Sequence, residues 1–198
     1  MRLKQANEIE SLIQRLISGD TQAFGELYDE TIQDVFQTVH FLLEDKAAVE
    51  DVTQEIYIQI HQSIVQFDSS RPFRPWLMGL VVRQVNAYRR KRWMNFRILT
   101  KNKQHSVSEF EPDFSSRLLE DLSNQELLIR VEQLPYKLKQ VIILRYLKDY
   151  SQEEVAEILA IPVGTVKSRI HAALKKLRQG KVGLFEFYRQ GEDQREYS

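Results

Sequence analysis

The chain has 198 residues, with 28 Lys or Arg against 28 Asp or Glu and 42% hydrophobic residues, an ordinary globular balance with room for one or two real cores. Cysteine is absent, which excludes disulfides and thiolate metal sites and fits a reducing compartment. No stretch reaches the ~18 apolar residues that cross a bilayer, and MRLKQANEIESLIQRL lacks the apolar core of a signal peptide, so the expectation is a cytosolic protein.

The zero net charge hides strong segregation. Residues 69–108 hold ten Lys or Arg and no acid. Residues 109–126 hold six acids opposed by Arg117 alone, and residues 163–181 hold six Lys or Arg and no acid. Two basic surfaces flanking an acidic connector suit a polyanion such as nucleic acid.

Helical periodicity dominates, and alternating strand patterns are scarce. A first helix is expected over about residues 8–17, ended by Ser18-Gly19-Asp20. A second spans roughly 21–43, with Phe24, Leu27, Tyr28, Val35, Phe36, Val39 and Leu42 as its apolar face. A third runs over about 47–65 on Val49, Val52, Ile56, Ile60 and Ile64, leaving Asp51, Gln54, Glu55, Ile58 and Gln62 toward the opposite side. Asp51 and Glu55 lie one helical turn apart. No third ligand converges on them to make a metal or acid–base site, and an acidic face for a basic partner is the better reading.

The segment QFDSSRPFRP, residues 66–75, carries two prolines and two serines and reads as a loop. Phe67, Arg71, Phe73 and Arg74 are unusual dress for a loop. Aromatic and arginine side chains together suit unstacked bases; the phenylalanines suit equally well a role as plugs holding the loop in a core. A fourth helix is expected from Trp76 to about Trp93. Leu77, Leu80, Val81, Val85 and Tyr88 sit at core spacing, and Arg83, Gln84, Asn86, Arg89, Arg90, Lys91 and Arg92 occupy the remainder. The closing RRKR run suits both the helix dipole and phosphate.

Residues 95–124 have weak periodicity and read as a linker, with partial order conceivable around Phe110, Phe114 and Leu118-Leu119. Beyond Gln125, Leu127, Leu128, Val131 and Leu134 form one helix. Pro135 interrupts it, and Leu138, Val141, Ile142, Leu144 and Leu147 form the next. Then comes DYSQEEVAEILAIPVGTVKSRIHAALKKL. Ser151 and Glu154 make a capping box for a helix on Val155, Ile158 and Leu159, and Ala160-Ile161-Pro162 breaks it. A second run buries Val166, Ile170, Ala173, Leu174 and Leu177 and presents Thr165, Lys167, Ser168, Arg169, His171 and Lys175. Two short helices, a tight turn and a basic second helix make a helix-turn-helix; the plainer alternative is a helical hairpin with a solvated basic face.

The expected architecture is all-α: two small helical domains, 1–94 and 125–180, joined by a flexible acidic linker, 95–124, and followed by a tail, 181–198, with an aromatic cluster at Phe185, Phe187 and Tyr188. No phosphate-loop, nucleophile-elbow or H-E-x-x-H pattern occurs. His40, His61, His105 and His171 lack metal-ligand spacing. No enzymatic activity, metal or cofactor is expected.

DVTQEIYIQI, then QFDSSRPFRPWLMGLVVRQVNAYRRKRW, then the LPYKLKQVIILRYLKDYSQEEVAEILAIPVGTVKSRIHAALKKLR stretch together resemble bacterial sigma factors of the extracytoplasmic-function group, over roughly residues 19–178. The resemblance implies that the first domain binds core RNA polymerase and opens the promoter at the −10 element. Asp51, Gln54, Glu55 and Ile58 would dock on the clamp coiled coil of the largest catalytic subunit. The loop with Phe67, Arg71, Phe73 and Arg74 would capture a flipped base of the non-template strand. The helix carrying Trp76, Arg83, Asn86, Arg89, Arg90 and Arg92 would meet the duplex just upstream. Thr165, Lys167, Ser168, Arg169, His171 and Lys175 would read the −35 element in the major groove.

The implied partners are therefore core polymerase through its two large catalytic subunits, promoter DNA, and an anti-sigma factor of a kind often membrane-bound. The implied place of action is the bacterial cytoplasm. Val82-Arg83-Gln84 stands where many members have A-R-N, Tyr88 where an aspartate is usual, and Ala172 where a basic residue is frequent. An autonomous regulator would use the helix-turn-helix but leave DVTQE and the aromatic loop idle. A nucleic-acid-processing enzyme would need a metal triad that the sequence lacks.

Overall fold

The computed structural model describes residues 2–100 and 122–179, with side chains placed for 9–97 and 126–178. The acidic stretch of the expected linker and the whole tail lie outside the described residues, and so do Phe110, Phe114 and Leu118-Leu119. Every regular element among the described residues is helical. No helix there is long and apolar enough to cross a membrane. The chain falls into two compact units, Met1–His105 with Glu153–Ile161, and Ser106–Gln152 with Pro162–Ser198.

The first unit is built on four helices, α1 Arg2–Ile17, α2 Gln22–Leu42, α3 Val49–Ser63 and α4 Phe73–Thr100. Short 3-10 turns at Lys46–Ala48 and Ile64–Gln66 bracket α3 where the sequence had one continuous helix. Helix α1 lies on α2, and α2, α3 and α4 pack on one another. Leu27, Val35, Val39 and Leu42 of α2, Ile56 and Ile60 of α3, and Met78, Val81 and Val85 of α4 are essentially sealed from solvent.

The α1–α2 junction turns on Gly19, whose φ of +94° is left-handed backbone that glycine adopts without strain. Arg15 reaches across this turn. Its Nε donates to Asp20 Oδ2 (2.9 Å), and its two terminal nitrogens donate to the two Glu26 oxygens (2.8 Å each). That fork holds both carboxyls below the ordinary acidic range, chiefly through the arginine hydrogen bonds. Asp20 Oδ1 also accepts the Gln22 N–H (2.9 Å), satisfying one of the unpaired donors at the start of α2.

The second unit contains α5 Leu122–Glu132, α6 Tyr136–Ile142 and α8 Val163–Gln179, with α6 against both others. Pro135 separates α5 from α6 as its residue type requires. The expected continuous helix through Leu147 instead widens into a π turn at Ile143–Leu147, closed by the Lys148 N–H to Ile143 O (3.0 Å). Val131, Leu134, Val141, Ile142, Ile143 and Leu144 bury with Val166, Ile170, Ala173 and Leu177 of α8.

Between α6 and α8 in sequence lies the short α7, Gln152–Leu159, whose Val155, Ala156 and Ile158 are buried. Its end follows a Schellman pattern, in which two N–H groups past the helix bond back to its last carbonyls. Ala160 donates to Glu157 O (3.1 Å) and Ile161 to Ala156 O (3.0 Å). Ala160 therefore takes φ +51°, a left-handed value that an L side chain holds at a cost.

Candidate nucleic-acid and partner surfaces

Helix α3 divides as its periodicity demands. Val49, Val52, Thr53, Ile56, Tyr57 and Ile60 face inward. Asp51, Gln54, Glu55 and Ile58 stand outside, the last 49% exposed although it is a large apolar residue. The structure thus brings together the four side chains expected to dock, with Gln62 exposed as well. It also shows what the sequence missed: a largely apolar groove of about 580 Å³ between α2 and α3. Phe24 and Tyr28 form its α2 wall; Gln54, Tyr57, Ile58 and His61 lie on the α3 side.

Phe24 and Tyr28 were expected in the core of α2, but they line this groove, and Tyr28 is 40% exposed. Phe36, from the same expected face, is 38% exposed. A helical period marks the apolar side of a helix without saying whether its flanks meet a core or an open cleft. Phe24 meets the His61 ring edge-on (5.0 Å), and Tyr28 leans on Tyr57 (4.6 Å).

The loop before α4 is organised by packing. Phe67, Phe73 and Trp76 form an aromatic triad with centroid separations of 4.9–5.7 Å. Both phenylalanines are only 8% exposed, so of the two roles open to them the structure shows the plug; neither presents a free face for a base in this state. Trp76 is half-buried; Arg71 is exposed and pairs with Glu157. Arg74 pairs with Asp34 of α2 (3.2 Å). Asp68 accepts the Ser70 N–H (3.0 Å), and its bonds to Ser70 hold its carboxyl below the usual range.

Helix α4 begins at Phe73, inside the expected loop and three residues before the expected start at Trp76; it buries Leu77, Met78, Leu80, Val81, Val82 and Val85 and runs past its expected end at Trp93 through Thr100. Its arginines separate into two sets. Arg89 pairs with Glu44 (2.7 Å) and Arg92 with Asp45 (2.5 Å), both acids lying in the turn after α2. Tyr88 donates its hydroxyl to the same Asp45 oxygen (2.9 Å). Burial, then Asp45 itself, pushes that phenol up. Arg89 and Arg92, expected to face phosphate, are thus held by carboxylates within the fold. Arg83, Asn86 and Arg90 stand exposed on the other side of the helix. Beyond them Trp93 is 57% exposed, and the Arg97 guanidinium lies over its ring at 4.6 Å.

On α8 the inward stripe is Val166, Ile170, Ala173 and Leu177. Lys167, Ser168, His171 and Lys175 are exposed, with Thr165 and Arg169 half-buried beside them. Leu174, expected inside, is half-buried on the flank. The described part of the helix carries five Lys or Arg and no acid from 163 to 178, a face suited to phosphate and base edges.

Two family models match this chain: sigma-70 region 2 over residues 27–94 and sigma-70 region 4 over residues 124–177. Among curated proteins, it is 31% identical over 180 residues to the ECF RNA polymerase sigma factor SigW of Bacillus subtilis (strain 168), covering 86% of this chain and 95% of that one. It is 28% identical over 163 residues to SigX of the same organism, covering 80% and 83%. The fold is similar to that of CnrH, solved in complex with the cytosolic domain of CnrY (TM-score 0.61, 23% identity, 86% of this chain and 94% of that one). It is similar also to that of the sigma factor RpoE of Bartonella quintana, solved with the anti-sigma factor NepR (TM-score 0.65, 19% identity, 80% and 96%).

Proposed function

Because the chain belongs to the extracytoplasmic-function sigma factors of the sigma-70 family, we propose that it is a promoter-specificity subunit of bacterial RNA polymerase, a transcription regulator and not an enzyme in its own right. It docks on the largest catalytic subunit of core polymerase through Asp51, Gln54, Glu55 and Ile58 of α3. An exposed apolar residue ringed by carboxylates and an amide suits a basic helical partner. The loop of residues 67–72 and helix α4 engage the −10 region, with Arg83, Asn86 and Arg90 at the DNA. Phe67, Phe73 and Trp76 support that loop, and Arg71, Arg74, Arg89 and Arg92 join the DNA by exchanging carboxylate for phosphate. Thr165, Lys167, Ser168, Arg169, His171 and Lys175 on α8 read the −35 element.

The observation that carries this reading is the pairing, in one chain, of both matched sigma-70 regions with exposed residues of the right chemistry on each: acidic and apolar on α3, basic on α4 and α8. Action on cytoplasmic polymerase follows from the same reading. So does inhibition by an anti-sigma factor that covers the polymerase- and DNA-binding faces, as the complexes of the structural relatives encourage.

The test is transcription in vitro by bacterial core polymerase on a pool of promoter fragments, with and without the full chain. Discrete start sites that appear only with the chain are the expected result. Absence of new starts and of core binding by the folded chain would overturn the proposal.

A further inference from the structure

Helix α4 continues through Thr100, and its exposed residues continue a pattern. Arg83, Asn86, Arg90, Trp93 and Arg97 are all exposed. At about 100° per residue they fall within an arc of about 80° on one side of the helix. The buried residues Leu77, Val81 and Val85 lie on another side, and Arg92, paired with Asp45, lies with them. The stripe therefore continues straight on from the three exposed residues that the preceding reading sets against DNA.

From Arg83 to Arg97 is 14 residues, or about 21 Å of helix, and at ~3.4 Å per base pair that is about six base pairs of duplex. Arg97 is also prepared for contact. Its guanidinium lies over the Trp93 indole at 4.6 Å, a cation–π arrangement that restrains a long side chain. Such stacking fixes the guanidinium at the exposed surface of the helix.

We propose that the Trp93–Arg97 pair is a contact point for duplex DNA upstream of the −10 element, in which Arg97 holds a backbone phosphate and Trp93 orients it. The inference rests on the sigma-factor reading. Charge decides for DNA over an apolar protein partner, despite the exposed Trp93, Met94 and Phe96. Residues 69–108 hold no acid, and three of the stripe's five residues are arginine. A basic and aromatic surface that extends an arginine row complements a phosphate backbone.

The experiment uses the full chain with core polymerase. Its probes are two fragments of a promoter recovered from the transcription pool, one with duplex ending at the upstream edge of the −10 element and one with about ten further base pairs, a length chosen to exceed the span above. Promoter-dependent transcription by the wild-type chain establishes the underlying reading separately. On the longer fragment, Arg97→Ala is expected to weaken binding and to flatten the dependence of log K on log salt by about 1. Trp93→Ala is expected to weaken it about two- to fivefold, and Arg97→Lys to fall between wild type and Arg97→Ala. On the shorter fragment all three should bind as wild type.

Lys91→Ala controls for net charge: it lies about 120° round the helix from the middle of the stripe and should leave the preference for longer duplex intact. Equal losses on both fragments, or wild-type binding by the Arg97→Ala and Trp93→Ala variants on the longer one, would overturn the proposal. Thermal unfolding of each variant, matched to wild type, separates these outcomes from misfolding.

Discussion

Thr31 Oγ1 and Tyr57 OH share a hydrogen bond of 2.9 Å in the buried seam between α2 and α3. Thr31 gives its own proton to Leu27 O (2.7 Å), so the phenol is the donor to Thr31. The other side of Tyr57 lines the apolar groove. This pair pins the groove wall to the core, and Tyr57→Phe should cost about 0.5–1.5 kcal/mol in chemical denaturation. Burial raises the Tyr57 phenol above its ordinary value of 10.0. The folded state therefore keeps its proton where the unfolded chain begins to lose it. Stability from this group is complete below pH ~10 and declines as pH rises further. Tyr57→Phe should make the alkaline decline of Tm shallower.

Ile58, which lines the groove, belongs to the docking face in the proposed function. Ile58→Asp places a charge on a site that is half exposed, so the fold should survive with a change within about 0.5 kcal/mol. Binding to core polymerase should fall by at least ~30-fold if Ile58 fills an apolar pocket of the partner, the scale of a central interface anchor. Measurement by fluorescence anisotropy with labelled chain would expose the error in this docking face if affinity were unchanged.

In the loop of residues 67–72, two substitutions separate folding from DNA contact. Phe67→Ala removes a buried ring from the triad with Phe73 and Trp76. It should cost about 3–5 kcal/mol, so loss of transcription would then report folding. Arg71→Ala, at an exposed site, should leave stability within about 1 kcal/mol. If Arg71 contacts the opened strand, this variant should lower open-complex formation, read by permanganate footprinting, without lowering Tm.

At the α1–α2 junction, Asp20 and Glu26 are both held below their ordinary values by Arg15. A lowered folded-state value means stability that is present above the unfolded values of about 4 and is lost as pH falls through the folded ones. Arg15→Ala should therefore flatten the acid side of the stability–pH curve below pH ~5. The same variant measured at pH 7 should be the less stable one.

Ala160 sits at φ +51° at the end of α7. A non-glycine residue there costs roughly 1–2 kcal/mol, while glycine forfeits about 0.5–1 kcal/mol of unfolded-state entropy. Ala160→Gly should raise stability by about 0.5–1 kcal/mol, the difference of those terms. Ala160→Val, β-branched at the same position, should lower it; urea titrations of both variants provide the check.

What was legible in the sequence followed local periodicity. Val166, Ile170, Ala173 and Leu177 recur at helical spacing and are buried; Asp51, Gln54, Glu55 and Ile58 occupy the opposite phase of α3 and are exposed. Features set by distant partners were not legible. Arg89 and Arg92 look alike in sequence to Arg83 and Arg90. Only the packing of α4 beside the turn after α2 hands them to Glu44 and Asp45, more than 40 residues earlier. The α2–α3 groove was hidden because Phe24 and Tyr28 obey the same period as core residues. The extension of α4 was hidden because the RRKR run resembles a helix terminus, although no proline or glycine follows it before Thr100. The π turn at Ile143–Leu147 has no breaker residue to announce it.

In the proposed function, the carboxylates of Glu44 and Asp45 act as internal stand-ins for phosphate. Before Arg89 or Arg92 can grip DNA, an existing ion pair must be surrendered, so part of each gain is cancelled. A chance encounter with any stretch of backbone then earns little from these two arginines. Only a site that also satisfies the other contacts holds the chain long enough for the exchange. On the proposed reading, this built-in competition trades raw affinity for discrimination: it thins out idle residence on the excess of non-promoter DNA.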